Sequence, residues 1–229
     1  LLVSGYLNIL FVLVVSLPIN ILLTLFCGYF LASKNVMFKK PVLGIIMFTM
    51  FFSGGMIPTY LNVRSLGLYN SLWALILPGA MSVYNSIICR TAIEAVPDSL
   101  EESAHIDGAN DLVICFRIIL RLIMPSIGVL LLYYGVGHWN SYFSALIYIS
   151  DPDKYPLQLV LRNILITNEA ALSQAATSAA AREALPEKQQ LIDVMKYSLI
   201  IISSVPVLVL YPFIQKHFVK GVMIGSVKG

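Results

Sequence analysis

The chain has 229 residues and 25.3 kDa; 58% of it is hydrophobic, only 12% is Asp, Glu, Lys or Arg, and its mean hydropathy is +0.83. Soluble domains carry about 25% charged residues, so this composition excludes disorder, a secreted disulfide scaffold and an ordinary cytosolic enzyme, and indicates an integral membrane protein. The net charge of +3 is too small to imply nucleic acid, and Cys27, Cys89 and Cys115 lie in or beside apolar runs, where they read as small buried hydrophobes rather than metal ligands or disulfides.

A helix needs about 20 residues to cross an apolar core of roughly 30 Å. Apolar runs of that order predict five spans, within Tyr6–Ala32, Val42–Val63, Leu72–Ile88, Leu122–Ser150 and Tyr197–Gln215. Strand-length alternation is missing, which argues against a membrane barrel. The first run has no basic leader and is too long for a signal peptide. Pro18, Pro58, Pro78, Pro125, Pro206 and Pro212 lie in the spans or at their edges, and Ser53-Gly54-Gly55 precedes Pro58. These residues predict kinks, or helices that bend to line a pathway. Lys34, Lys39 and Lys40 in the first tight turn orient the chain, placing that turn, the 90–121 segment and the C-terminus in the cytoplasm.

Two polar stretches interrupt the apolar pattern. The loop at 94–111 holds six of the twelve acidic residues: Glu94, Asp98, Glu101, Glu102, Asp107 and Asp111. Ser99-Leu100-Glu101-Glu102 reads as a capping box, Leu100 and Ala104 share a face, and Gly108 supplies a stop. The spacing predicts a two-turn amphipathic helix between two spans, suited to docking a cytoplasmic partner. The second stretch, at 151–193, is an external loop in which the Ala/Ser-rich segment Glu169–Ala184 predicts a helix and Leu185-Pro186-Glu187 a break.

The sequence contains no P-loop, no H-E-x-x-H and no C-x-x-C, and no carboxylate lies deep in a span. No catalytic residue, metal site or cofactor is predicted for this chain.

Glu102-Ser103-Ala104-His105-Ile106-Asp107-Gly108, followed after nine residues by Ile118-Ile119-Leu120, resembles the cytoplasmic signature of ATP-binding-cassette (ABC) importer permeases. Ser103 replaces an Ala of that signature and Arg121 its Pro. Phe52-Ser53-Gly54-Gly55-Met56-Ile57-Pro58-Thr59-Tyr60, Gly137-His138-Trp139-Asn140-Ser141, Tyr155-Pro156-Leu157-Gln158 and the ending Gln215–Gly229 resemble carbohydrate permeases of the MalG type, within them the LplC/YtcP-like oligosaccharide and polysaccharide subgroup. The likeness covers essentially the whole chain as one permease domain, 1–229. Such permeases normally begin with one more span, so six are expected in the complete protein.

The resemblance implies an all-α polytopic transmembrane bundle in a bacterial cytoplasmic membrane. It implies import of oligosaccharides by alternating access, with a second homologous permease, two ATPases that hold ATP and Mg, and an external sugar-binding protein as partners. Ser99, Glu101, Glu102, Ser103, Ala104, Asp107 and Gly108 would form the coupling helix against an ATPase. The tail, 216–229, offers Gly225, Ser226, Val227, Lys228 and Gly229 as a second contact, and Thr167 to Asp193 would approach the binding protein. Sugars favour aromatic faces and planar hydrogen-bonding groups, which Tyr60, Asn62, Tyr84, Asn85, Trp139, Asn140 and Tyr142 possess. The rival readings are an ABC permease for a non-sugar solute and an ion-coupled carrier, the latter expected to show intramembrane carboxylates.

Overall fold

The computed structural model describes the backbone of residues 1–34, 36–177 and 185–225, and side chains within these except at 171–188 and beyond 209. Among the described residues all regular structure is helical. In chain order the helices are α1 (Leu2–Ala32), α2 (Lys39–Phe51), α3 (Met56–Ser65), α4 (Trp73–Ile76), α5 (Val83–Glu94) and α6 (Asp98–Ile106). There follow α7 (Asp111–Val113), a π-helical segment (Ile114–Ile119), α8 (Leu120–Leu122), α9 (Met124–Trp139), α10 (Tyr142–Tyr148), a 3₁₀ turn (Pro152–Lys154), α11 (Leu157–Thr177) and α12 (Leu185–Gly225).

α1 is the central mast. Its 31 residues run through Pro18 without a break, and it packs on α5, α9, α11 and α4. Its buried stripe is Gly5, Ile9, Val12, Ser16, Asn20, Thr24, Gly28 and Leu31, a three- and four-residue spacing that keeps one face turned inward. Small residues let neighbours approach closely, as in membrane helix pairs generally. A Cβ on Gly28 would lie 2.9 Å from Cys89 Sγ and 3.1 Å from the Arg90 backbone nitrogen, so Gly28 sets the α1–α5 crossing.

The sequence predicts five spans interrupted by Pro and Gly; the described residues hold two helices long and apolar enough to cross a membrane, α1 and the Gln189–Val209 part of α12, or up to four spans if each bent pair counts as one. The other predicted spans are broken. Val42–Val63 becomes α2 and α3, bent by 111° at Ser53-Gly54-Gly55, with Gly55 at φ +86°. Leu72–Ile88 becomes α4 and α5, separated at 77–82 around Pro78-Gly79. Leu122–Ser150 divides between α9 and α10 at Asn140-Ser141, and the chain turns by 85° before α9 begins, where Pro125 falls in its first turn. Arg121 thus leaves the helix start to Pro125. The physical reason is local: these Gly and Pro residues forfeit ladder hydrogen bonds, and at the α4–α5 gap side chains of other helices take up the freed groups.

The 151–193 stretch is more helical than its composition predicts. α11 begins at Leu157, not near Glu169, because Leu157, Leu159, Val160 and Leu161 are buried. Pro186 opens α12 rather than ending a helix, as its fixed φ suits a first turn.

Two apolar clusters fill the two ends. One gathers Ile9, Val12, Ile76, Tyr148, Leu157 and Leu161; the other gathers Leu25, Cys89, Ile93, Ile114, Cys115 and Leu130. The free cysteines Cys89 and Cys115 are buried within the second cluster, and Cys27 is partly exposed.

Replacing Gly28 with Val forces α1 and α5 apart. Overpacking of this kind costs about 1–3 kcal/mol, so the melting temperature in detergent should fall. Adding Cys89→Ala should recover part of the loss, and a strictly additive double variant would contradict the crossing.

Candidate functional site

Three places combine polar groups with a defined geometry. The first is α6, at the Lys34 end of α1. It starts at Asp98 behind Pro97 (φ −60°, ψ 129°), with no side-chain cap. The capping box is therefore corrected: Ser99 is the second helical residue, and Asp98 and Glu101 instead face the positive end of the helix dipole. Pro97 dictates this start, because its fixed φ is already helical while its ψ is extended.

The other end of α6 closes as the sequence predicts. Gly108 sits at φ +80° and its N–H donates to His105 O at 3.0 Å; Ala109 N–H donates to Ala104 O at 2.9 Å. These two bonds form a Schellman cap, which needs a left-handed residue at Gly108. Asn110 then caps the next helix, its Oδ1 accepting from Val113 N at 2.9 Å. That cap was not read from the sequence, although Asn before Asp-Leu-Val is a recognisable start signal.

α6 is fastened to this chain on one face. Tyr29 on α1 donates its hydroxyl to Glu101 at 2.9 Å. Lys34 pairs with Asp98, whose hydrogen bond raises the lysine pKa, though both groups are largely exposed. Such exposed pairs orient more than they stabilise. Ala104 is buried in the cluster with Cys89 and Ile93. Its small side chain therefore serves contact within this chain, not the outward packing against an ATPase that the resemblance implies. The free face carries Ser99, Glu102, Ser103 and Asp107, and also Ile106, which is 86% exposed and was not singled out in the sequence. Leu112 beyond it is also exposed.

The second place is the gap between α4 and α5. Asn20 Nδ2 donates to Gly79 O at 3.0 Å and to Ala80 O at 2.8 Å, and Asn20 Oδ1 lies 3.0 Å from His138 Nε2. Tyr134 OH lies 2.7 Å from Thr24 Oγ1 and accepts from Ser82 N–H at 2.9 Å. Ser82 Oγ in turn caps α5. Side chains of α1 and α9 thus replace the missing turn of helix. Beside the gap lies a cavity of about 450 Å³ lined by Ser82, Asn85, Tyr133, His138, Ser141 and Ser144, among others. Its polar groups are mainly hydroxyls, with the Asn85 amide and the His138 ring. Asn20, Ser82, Tyr133 and Tyr134 escaped sequence reasoning because their roles depend on a break that apolar run length conceals.

The seven predicted sugar-contact residues do not form one site. Asn85 lines the cavity, and Tyr84 neighbours it through Tyr133, with ring centroids 6.4 Å apart. Tyr60 stacks on Tyr148 and meets Tyr69 edge-on, while Asn62 is exposed on α3. Trp139 is a core residue: it donates to Ser203 O at 3.0 Å and packs on Tyr6. Asn140 donates to Val136 O at 3.1 Å and terminates α9. Tyr142 faces a different cavity, with Arg162 and Gln158.

The third place is the opposite end of the molecule, where Asn8 donates to Asp153 O and Tyr155 O. Asn70, at φ +58°, accepts from Ser150 N–H and Asp151 N–H, and its carbonyl accepts from Lys154. At the C-terminus Gly225 ends α12, so the predicted tail begins inside a helix. Ser226, Val227, Lys228 and Gly229 lie outside the described residues.

The family described as binding-protein-dependent transport system inner membrane component matches residues 2–224. The chain is similar to the polygalacturonan/rhamnogalacturonan transport system permease protein YtcP of Bacillus subtilis (strain 168), at 43% identity over 219 residues, covering 96% of this chain and 74% of that protein. It is equally similar to Protein LplC of the same organism, at 43% identity, with 96% and 72% covered. Among solved structures, a bacterial ABC transporter involved in the import of the acidic polysaccharide alginate matches with a TM-score of 0.80 and 30% identity, covering 95% of this chain and 75% of that one.

Asn20→Leu leaves the Gly79 and Ala80 carbonyls and His138 without their partner. Each unsatisfied group costs about 1–3 kcal/mol. A fall in thermal stability clearly larger than that of a Leu22→Ala control is expected, and indifference to Asn20→Leu would show that the gap does not need this bridge.

Proposed function

Since this chain belongs to the family of binding-protein-dependent transport system inner membrane components, we propose that it is the permease subunit of a bacterial importer that passes oligosaccharides through the cytoplasmic membrane at the expense of ATP hydrolysed elsewhere. The family is one of non-catalytic transport subunits of the inner membrane, working with a partner ATPase and a substrate-binding protein. A second homologous permease completing the pathway, two ATPases, and a multi-pass arrangement with α6 in the cytoplasm belong to the proposal. The names of YtcP and of the alginate importer support a saccharide cargo. So does the cavity beside the gap, whose hydroxyl and amide groups suit a polyol more than an ion.

The observation that carries the reading is the two-sided character of α6. One face is held by Tyr29, Lys34 and the Ala104 cluster; the other is open and carries Glu102 and Ile106. A helix held this way moves as a rigid body. A force applied to its open face reaches α1 through Glu101–Tyr29 and reaches α5 and the π-helical segment through the apolar cluster. α1 also carries Asn20 and Thr24, so the push arrives where α4 and α5 are discontinuous. Such gaps can flex without breaking a helical ladder, because side chains and not a continuous helix hold them. ATP and Mg would sit in the ATPase subunits, and Gly225–Gly229 is a second contact in this scheme.

Gly108→Val should break the Schellman cap, since a left-handed residue with a side chain costs about 1–2 kcal/mol and a branched one more. In the assembled importer this variant should lose ATPase co-purification or sugar-stimulated ATP hydrolysis while staying in the membrane. A complex that forms and transports at the wild-type rate would refute the coupling role of α6.

A further inference from the structure

Arg162 lies on α11 within its first two turns, at the end of the molecule away from Lys34. A Cβ on Gly5 of α1 would stand 3.2 Å from Leu157 Cα, which fixes the start of α11 beside the first turn of α1. α10, α11 and α12 there border an open cavity of about 310 Å³. Its walls are largely apolar, with Leu161, Leu165, Leu199 and Ile200, and its polar members are Arg162, Gln158, Tyr142 and Ser203.

The Arg162 guanidinium stands over the Tyr142 ring, 5.7 Å from its centroid. Among the described residues it has no carboxylate partner, and none of its N–H donors makes a hydrogen bond. Other charged groups near this end are placed differently: Lys154 is engaged by Asp151 at 3.4 Å and by Asn70 O, while Arg64, Lys196 and the carboxylates Asp153, Glu169 and Asp193 are exposed. A half-buried guanidinium held by one aromatic ring keeps its N–H donors free for an anion.

The geometry points to a subsite for the carboxylate of an acidic sugar, a uronate residue of the transported oligosaccharide, formed by Arg162, Tyr142 and Gln158. The planar guanidinium matches a carboxylate bidentately, and Tyr142 keeps it in a fixed plane. The Tyr142 ring, 42% exposed, offers a face for sugar C–H groups, and the Gln158 amide has donors and an acceptor for ring hydroxyls. One cation, one aromatic face and one amide fit one uronate unit. An anionic lipid headgroup is matched by clusters of several basic residues, which this cavity lacks. The assignment rests on the oligosaccharide-permease reading and narrows it to the charge of the cargo.

The test uses the complete importer, with its ATPase, partner permease and binding protein, in phosphatidylcholine vesicles with and without phosphatidylglycerol. Uptake of trigalacturonate is compared with that of its methyl ester. In Arg162→Gln, KM for the acid should rise about tenfold, the loss expected for a charge-assisted hydrogen bond, with kcat and the KM for the ester unchanged. Arg162→Lys keeps the charge without the planar fork, should show a smaller rise, and serves if Arg162→Gln does not assemble. An equal loss for acid and ester, an unchanged KM for the acid, or a loss seen only in phosphatidylglycerol vesicles would overturn the subsite. A wild-type importer driven by neutral oligosaccharides but not by trigalacturonate would overturn the subsite alone. One that no oligosaccharide drives would overturn both the subsite and the function it rests on.

Discussion

The fold depends on how an interrupted backbone is satisfied where no water is at hand. In an apolar medium each free carbonyl or N–H costs several kcal/mol, so a broken span survives only if other groups close its bonds. Asn20 does this for the α4–α5 gap by donating to Gly79 O and Ala80 O while holding His138. Tyr134 serves the other side of the gap through Ser82 N–H and Thr24. Three helices are thereby tied at one level, and the central helix α1 is the common member. Asn20 and Thr24 of its buried stripe are better understood as substitutes for a missing helical turn than as a binding site of their own.

The same helix carries the second constraint. At its lysine-bearing end Tyr29 and Lys34 meet Glu101 and Asp98, so α6 cannot tilt without moving α1. Gly28 brings α5 close to α1, and Ala104 sets α6 on the apolar cluster that includes Cys89 of α5. Small residues here make the contact stiff, because close approach leaves little space to absorb motion. Between this rigid end and the gap lie about two turns of α1. In the proposed scheme the arrangement joins a lever to a joint: a short amphipathic helix for a partner to push, and a discontinuity that yields.

The acidic cluster was legible in the sequence because charge is scarce in this chain. Glu101, Glu102, Asp107 and Gly108 stood out by contrast, and the Gly108 cap could be read from spacing alone. The start of α6 could not, since Ser-x-x-Glu and Pro-Asp compete for the same turn and the stiffer Pro97 wins. Ala104 was read as an outward contact because a small residue on a helix fits either side of an interface; only packing shows that it points inward. The scattered sugar-contact residues teach the same lesson. Trp139 and Tyr60 have the right chemistry for a saccharide, yet one anchors Ser203 and the other builds an aromatic stack with Tyr148. Residue type states what a side chain can bind, and burial decides what it does bind.

By itself the sequence determined the solvent, the class and the place of contact with water. Apolar content, uncharged runs and one dense acidic loop are properties of composition and order along the chain, and they survive any folding. It also marked where helices would fail, through Ser53-Gly54-Gly55, Pro78-Gly79 and Pro125. What it left open was the consequence of those failures, because a broken helix is stable only with donors and acceptors brought from distant segments. Tertiary structure supplied Asn20 and Tyr134 for that purpose, turned Ala104 inward, and set Arg162 over Tyr142. Each of these depends on residues many positions apart coming within hydrogen-bond or van der Waals reach, a quantity that local spacing does not encode.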